Sequence, residues 1–320
     1  MDSAKENLMS RTAPRLMLGL ILLAGAAPVQ AQYPPPTRGQ YTPGMSATNS
    51  GTLPGAGLSF ANYFLFYSFD QLKDADGNDV TAVSGDAAVA IDIALLEWVS
   101  TKKLLGGTYA AALGVPFATS ALTGATLGSL GGAGGVSNLY VQPLLLGWKL
   151  TRADLTAGYA FFAPTGKFTA GASDNVGTGY WTNAITAGQT IYLTKNKGTT
   201  LSAFEMYEFH GKQDGSDLTP GNTFDIDYSL MQFLPLGKEM KTLLQVGLVG
   251  YGQYQTTDAT QADGTSFVVP GRYSVNALGG ALNVLLPERG VLVGFKYFGE
   301  MGNSSTVQGY SIQLNGAVTF

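Results

Sequence analysis

The sequence contains no cysteine. Disulfides, thiolate nucleophiles and thiolate metal sites are therefore excluded together. Histidine occurs once, as His210, so a histidine metal cluster has no ligands to draw on. Charged residues make up only 12% of the chain, about half the usual globular share. The remaining net charge is −4, which argues against a basic nucleic-acid surface, and no nucleic-acid partner is expected. One long apolar run lies near the N-terminus and no second one follows, whereas a helical span needs roughly 20 apolar residues. A polytopic helical membrane protein is thus excluded as well.

Catalytic motifs are missing too. Each Gly-Lys pair (Gly166–Lys167, Gly211–Lys212, Gly237–Lys238) lacks the Ser or Thr of a phosphate loop. No G-x-S-x-G elbow occurs. Asp74-x-Asp76-x-Asn78 begins like a calcium loop, but Asp79 stands where the sixth position needs Gly, and Gly85 where the twelfth needs Glu. His210 closes an apolar stretch, where a surface position fits better than a catalytic base. No enzymatic activity, catalytic residue, metal or cofactor is expected.

What is present begins with an export signal. Arg11 and Arg15 precede the apolar run LMLGLILLAGAA (residues 16–27), and Val29–Gln30–Ala31 supplies a small-x-small cleavage site. Residues 1–31 read as a signal peptide, with Met9 as an alternative start. The run is too short for a comfortable anchor, and no Cys follows it for acylation. Cleavage removes one net positive charge and leaves −5 on the mature chain. Residues 32–56 are rich in Pro, Gly, Ser and Thr. They read as an extended, disordered leader, with a small plug inside the following domain as the alternative.

Residues 57–320 repeat one unit, seen best in NLYVQPLLLGWKLTRADLTAGYAFFAPTGKF (residues 138–168). A stretch of membrane-crossing length is followed by a tight turn, a returning stretch and a long polar loop. Twelve such stretches follow: 58–72, 88–100, 107–117, 139–150, 154–163, 179–193, 200–210, 223–234, 243–255, 272–286, 291–301 and 307–320. Short turns follow stretches two, four, six, eight and ten, and long loops follow stretches one, three, five, seven and nine. Short periplasmic turns and long external loops produce this alternation in a transmembrane antiparallel up-and-down β-barrel. A soluble sandwich has no reason to segregate loop lengths by end. The last stretch alternates Tyr310, Ile312, Leu314, Val318 and Phe320 with Ser311, Gln313, Asn315 and Thr319. A terminal aromatic on such a strand resembles the signal read by barrel-assembly machinery, so Phe320 is the expected assembly signal.

Mid-strand charges assign faces, because a Lys or Arg at the lipid midplane costs roughly 2–4 kcal/mol and an acid somewhat less. On that rule Lys296 and Glu300 point into the lumen, as do Asp225 and Asp227. Asn62, Asp92, Glu205, Arg272, Asn276 and Gln313 are the other expected lumen-lining residues. Phe60, Phe64 and Phe66 are placed inward with them. These charges either pair across the lumen or line a solute path.

Four segments carry a family resemblance: LPGAGLSFANYFLFYSFD (residues 53–70), LYVQPLLLGWKL (139–150), GYAFFAPTGKF (158–168) and NALGGALN (276–283). They resemble the outer-membrane proteins of the meta-pathway of phenol degradation, a family of barrels and transporters. The resemblance spans nearly all of the mature chain and its motifs are structural. It implies a bacterial outer-membrane barrel, embedded in lipid, serving uptake of small hydrophobic or aromatic solutes. A non-transporting structural or surface-interaction barrel is the alternative. An outer-membrane hydrolase using His210 is a third.

Overall fold

The computed structural model describes residues 38–80, 86–123, 134–170, 172, 174–237, 241–260 and 271–320. The expected signal peptide lies outside them. In chain order the strands are β1 (Gly57–Leu72), β2 (Asp86–Leu104), β3 (Gly107–Thr123), β4 (Gly134–Val136), β5 (Leu139–Lys149), β6 (Ala153–Ala163) and β7 (Thr182–Tyr192). They continue as β8 (Thr199–His210), β9 (Thr223–Leu236), β10 (Thr242–Gln255), β11 (Ser274–Leu286), β12 (Val291–Glu300) and β13 (Val307–Thr319). β4 is a short flap paired to β3. The other twelve form one antiparallel ring, in which β1 pairs with both β2 and β13 and β2 also pairs with β3. All twelve expected strands are present, and β2 and β3 run past their expected ends.

Closure follows from the solvent. In hydrocarbon no water can satisfy a free N–H or C=O, so a sheet survives there only without edges. The seam sets Ser59 opposite Thr319 and Phe60 opposite Val318. The Phe320 amide donates to the Leu58 carbonyl at 2.9 Å, completing it at the periplasmic end. Along each strand one face carries exposed large apolar groups, such as Ile185, Leu248 and Val293. The opposite face is turned inward and carries the buried polar groups, with apolar residues among them, most of all along β1, β2 and β3. An apolar exterior around a polar interior is the reverse of a soluble protein and suits a lipid environment. The tightest turn, between β2 and β3, puts both Leu105 (φ 51°) and Gly106 (φ 77°) in the left-handed region, the geometry of a two-residue hairpin turn.

Residues 38–56 are not a loose leader. They descend inside the barrel and are folded against its wall. Three local bonds bend them, among them the Thr52 amide to the Asn49 carbonyl at 2.9 Å. They have too few apolar groups to order themselves, so their order comes from the strands around them. Two glycines admit them. A Cβ at Gly188 of β7 would sit 2.2 Å from the Ser50 carbonyl oxygen, and one at Gly147 of β5 would sit 2.4 Å from a Leu53 methyl.

Candidate functional site

The inner segment divides the lumen into a filled side and an open side. The filled side is held by polar groups of β6 to β13. At the external mouth Arg38 pairs with Glu300 at 2.8 Å. The Tyr67 and Tyr251 hydroxyls donate to the same carboxylate at 2.7 and 3.0 Å. Glu208 accepts the amides of Gln40 and Tyr41, each at 2.7 Å. Asp227 accepts the Tyr41 hydroxyl at 2.5 Å, the Gly44 amide at 2.7 Å and the Ser46 amide at 3.0 Å. Lys296 donates to the Gly44 and Met45 carbonyls at 2.6 and 2.8 Å, and Gln313 to the Pro43 carbonyl at 2.8 Å. Lower down, Asn49 and Gln245 exchange amide bonds, and Thr52 donates to Asp154 at 3.2 Å. Glu300 ends β12 while Asp154 begins β6, so the segment spans the lumen from the outer mouth to the periplasmic one.

The open side is a cavity of about 920 Å³, mainly between this segment and β1, β2, β3 and β5, with residues of β6, β8, β12 and β13 also reaching it. Its wall reaches from Asn138 and Thr178, near the external loops, to Pro287 and Thr319 at the periplasmic turns. Ile91, Ile93, Leu95, Ala112, Pro116 and Leu145 make its face apolar. Glu97, Tyr63, Tyr140 and Gln142 are polar groups set into that face.

The expected lumen residues divide between the two faces. Asp225, Asp227, Lys296, Glu300 and Gln313 face inward and are buried. Asp225 accepts from Gln253 at 2.7 Å. Five others do not line the lumen. Asn62 lies on the outer face, between inward Ala61 and Tyr63, and donates to Asp92 on the same outer face at 2.8 Å. Glu205 is also outside, bonded to Gln189 at 2.8 Å. Phe60, Phe64 and Phe66 share the outer parity of Asn62. Asn276 is on the outer side of β11 and accepts the Tyr254 hydroxyl at 2.5 Å. Arg272 lies beyond the strand, exposed, 2.8 Å from Asp258. Its hydrogen bond holds the Asp258 carboxyl below the ordinary range.

The physical reason is parity. On one strand, acids an odd number of residues apart point to opposite faces. Asp92 and Glu97 are such a pair in β2, and Glu205 and Glu208 another in β8. Only one of each can face inward, and the structure selects Glu97 and Glu208. The outward acids keep a hydrogen-bonding amide beside them, which offsets part of the cost of leaving water. A signal for Glu97 exists in its neighbours: Leu96 and Trp98 are exposed apolar groups flanking it. His210 is not a surface residue either. Its side chain is 2% exposed, with its two ring nitrogens 2.8 Å from the Thr182 hydroxyl and 3.2 Å from that of Thr223.

A closed ring of twelve antiparallel strands, apolar outside and polar inside, defines a bacterial outer-membrane β-barrel. Within that class the chain belongs to the family described as "Putative MetA-pathway of phenol degradation", whose model matches residues 69–316. Among solved structures it resembles an outer membrane channel from Pseudomonas putida F1, with a TM-score of 0.71 at 16% identity over 88% of this chain and 100% of that one. The β domain of the Bordetella autotransporter BrkA gives a TM-score of 0.49 at 13% identity, covering 83% of this chain and 100% of that one. The translocator domain of NalP from Neisseria meningitidis gives 0.45 at 14% identity, covering 86% and 92%. No curated protein matches the chain. At these identities the likeness is one of fold.

Proposed function

We propose that the protein is a passive outer-membrane channel for small hydrophobic or aromatic molecules, acting without catalysis, metal or cofactor. The observation that carries this reading is the cavity. It follows the lumen from the external to the periplasmic end, and its wall of Ile, Leu, Ala and Pro suits an apolar solute better than a hydrated ion. The family description and the channel of similar fold support it. Deleting the gene should lower uptake of labelled aromatics at limiting external concentration. Unchanged uptake across a panel of such solutes overturns transport.

One observation favours the alternative of a non-transporting structural barrel: the inner segment fills the other side of the lumen and is bonded along its whole length. Proteoliposome flux separates the two, since a structural barrel passes nothing above the lipid background. In this reading the barrel-assembly machinery is a partner and Phe320 the group it reads. Removal of Phe320 should reduce the heat-modifiable, folded fraction in outer membranes well below that of a Gln313→Asn variant. Equal fractions would remove the terminal residue from that role.

A further inference from the structure

The cavity contains a carboxyl group with a buried oxygen that no donor among the described residues reaches. Glu97 projects from β2 into an otherwise apolar wall, opposite Ser59 on β1 and Ala112 on β3. Its Oε1 is buried and has no hydrogen-bond partner among the described residues. Three of the polar groups on this wall are engaged elsewhere. Lys296, which also reaches this cavity, donates to Gly44 and Met45. The Ser59 hydroxyl is 2.9 Å from that of Thr319, and the Gln142 amide donates to Thr186 at 3.1 Å. Tyr63 and Tyr140 line the same cavity.

A buried acceptor left without a donor costs free energy that a well-packed apolar residue would not. Glu208, Asp227 and Glu300 all have donors supplied by the chain. Glu97 alone of these has a solute-sized space in front of it.

We infer that Glu97 is the specificity-determining residue of a solute-binding site in this cavity, which takes a small aromatic molecule bearing a neutral hydrogen-bond donor, such as a phenolic hydroxyl, and rejects aromatic carboxylates. This rests on the channel reading for its place on a transport path, but the site itself is defined by binding. The hydroxyl of the solute donates to the Glu97 carboxylate. The ring lies against Ile93, Leu95 and Leu145, with Tyr63 and Tyr140 at its edge. An anionic solute meets a like charge on this wall and is refused. Such use of one buried polar group against a solute lacking its complement gives stronger discrimination than apolar shape alone.

The test uses three probes of similar size: 4-methylphenol, 1,4-dimethylbenzene and 4-methylbenzoate. Their binding to the purified full-length barrel is measured by equilibrium dialysis, alongside flux into proteoliposomes. Wild type should bind the phenol about tenfold or more tighter than the dimethylbenzene, the scale of a hydrogen bond to a charged group, and should not bind the benzoate. Glu97→Leu should erase the phenol preference while keeping the dimethylbenzene. Glu97→Gln should keep part of that preference and admit the benzoate. Heat-modifiable migration establishes that both variants are folded. A phenol preference unchanged in folded Glu97→Leu overturns the inference. So does the absence of binding to wild type while flux persists, an outcome that leaves the channel reading standing. Glu97-dependent binding without flux upholds the site and removes the channel.

Discussion

The two sides of the lumen differ in how they hold most of their buried acids, Asp225 on the filled side being the exception: it accepts from Gln253 through one oxygen and has no donor for the other among the described residues. On the side of β8, β9 and β12, each of Glu208, Asp227 and Glu300 accepts two or more bonds, and most of the donors lie on the inner segment or beside it. On the side of β2, the buried Oε1 of Glu97 accepts none from the described residues. The first arrangement builds a rigid wall from charges. The second leaves a charge addressed to something that is not part of the chain. The difference separates structural from functional charge within one barrel, and neither composition nor hydropathy distinguishes them.

The largest test of this contrast is Glu300→Ala. It strips a partly buried arginine of its carboxylate partner and leaves two tyrosine hydroxyls without their acceptor. The expected loss is about 3–5 kcal/mol, the usual result of breaking a buried ion pair by removing one side. Urea unfolding of the barrel in vesicles, followed by tryptophan fluorescence, measures it. Glu97→Leu measured in the same way should show no loss, since it removes a charge that has no partner. Equal destabilisation by the two would abolish the distinction between the sides.

A smaller effect is expected from Gly188→Val. The new side chain meets the Ser50 carbonyl, and overpacking of this kind costs typically ~1–3 kcal/mol. Because the clash is with the inner segment, the filled side should loosen while the ring stays closed. Proteolytic cleavage within residues 38–56 and single-channel conductance should both rise. If conductance rises without cleavage, the segment has shifted without coming free.

The smallest effect is reserved for the outer wall. Glu205→Leu replaces a lipid-facing acid by an apolar group but leaves Gln189 without its partner. The two changes oppose each other, so the net should fall within about 1 kcal/mol, as for most exposed substitutions. A loss as large as that of Glu300→Ala would mean that the Gln189–Glu205 pair has a role in the membrane beyond tolerance.

The barrel itself was legible in the chain because strand length, turn length and loop length are local properties. All twelve strands could be counted from them. The faces of β9 and β12 were legible for a related reason. Asp225 and Asp227 share one parity, as do Lys296 and Glu300, so the charges vote together. In β2 and β8 the two acids vote against each other, and the rule that charge avoids lipid cannot decide between them. It fails further where the lumen is apolar, because Ile91, Ile93 and Leu95 look like lipid-facing residues while lining the cavity. Phe60, Phe64 and Phe66 have the opposite disguise. The path of residues 38–56 was beyond reach for another reason. Their Pro- and Gly-rich sequence has no core of its own, and most of the donors and acceptors that hold it lie more than 90 positions away in the chain, as in Asn49 with Gln245 and Thr52 with Asp154.

The descent of residues 38–56 has a consequence for the order of events in assembly. The segment enters at the outer mouth beside Glu300, runs down the lumen and passes directly into β1 at Gly57. β1 is one side of the seam with β13. The chain therefore cannot finish its circumference first and collect this segment afterwards without pulling a free end upward through a lumen it must then fill. Laying the segment against β6 to β12 while the seam is still open avoids that threading, and it brings β1 to the edge of β13 as it does so. The same residues that occupy the finished lumen would then act earlier as the template around which the wall is wrapped, and the barrel closes over its own contents.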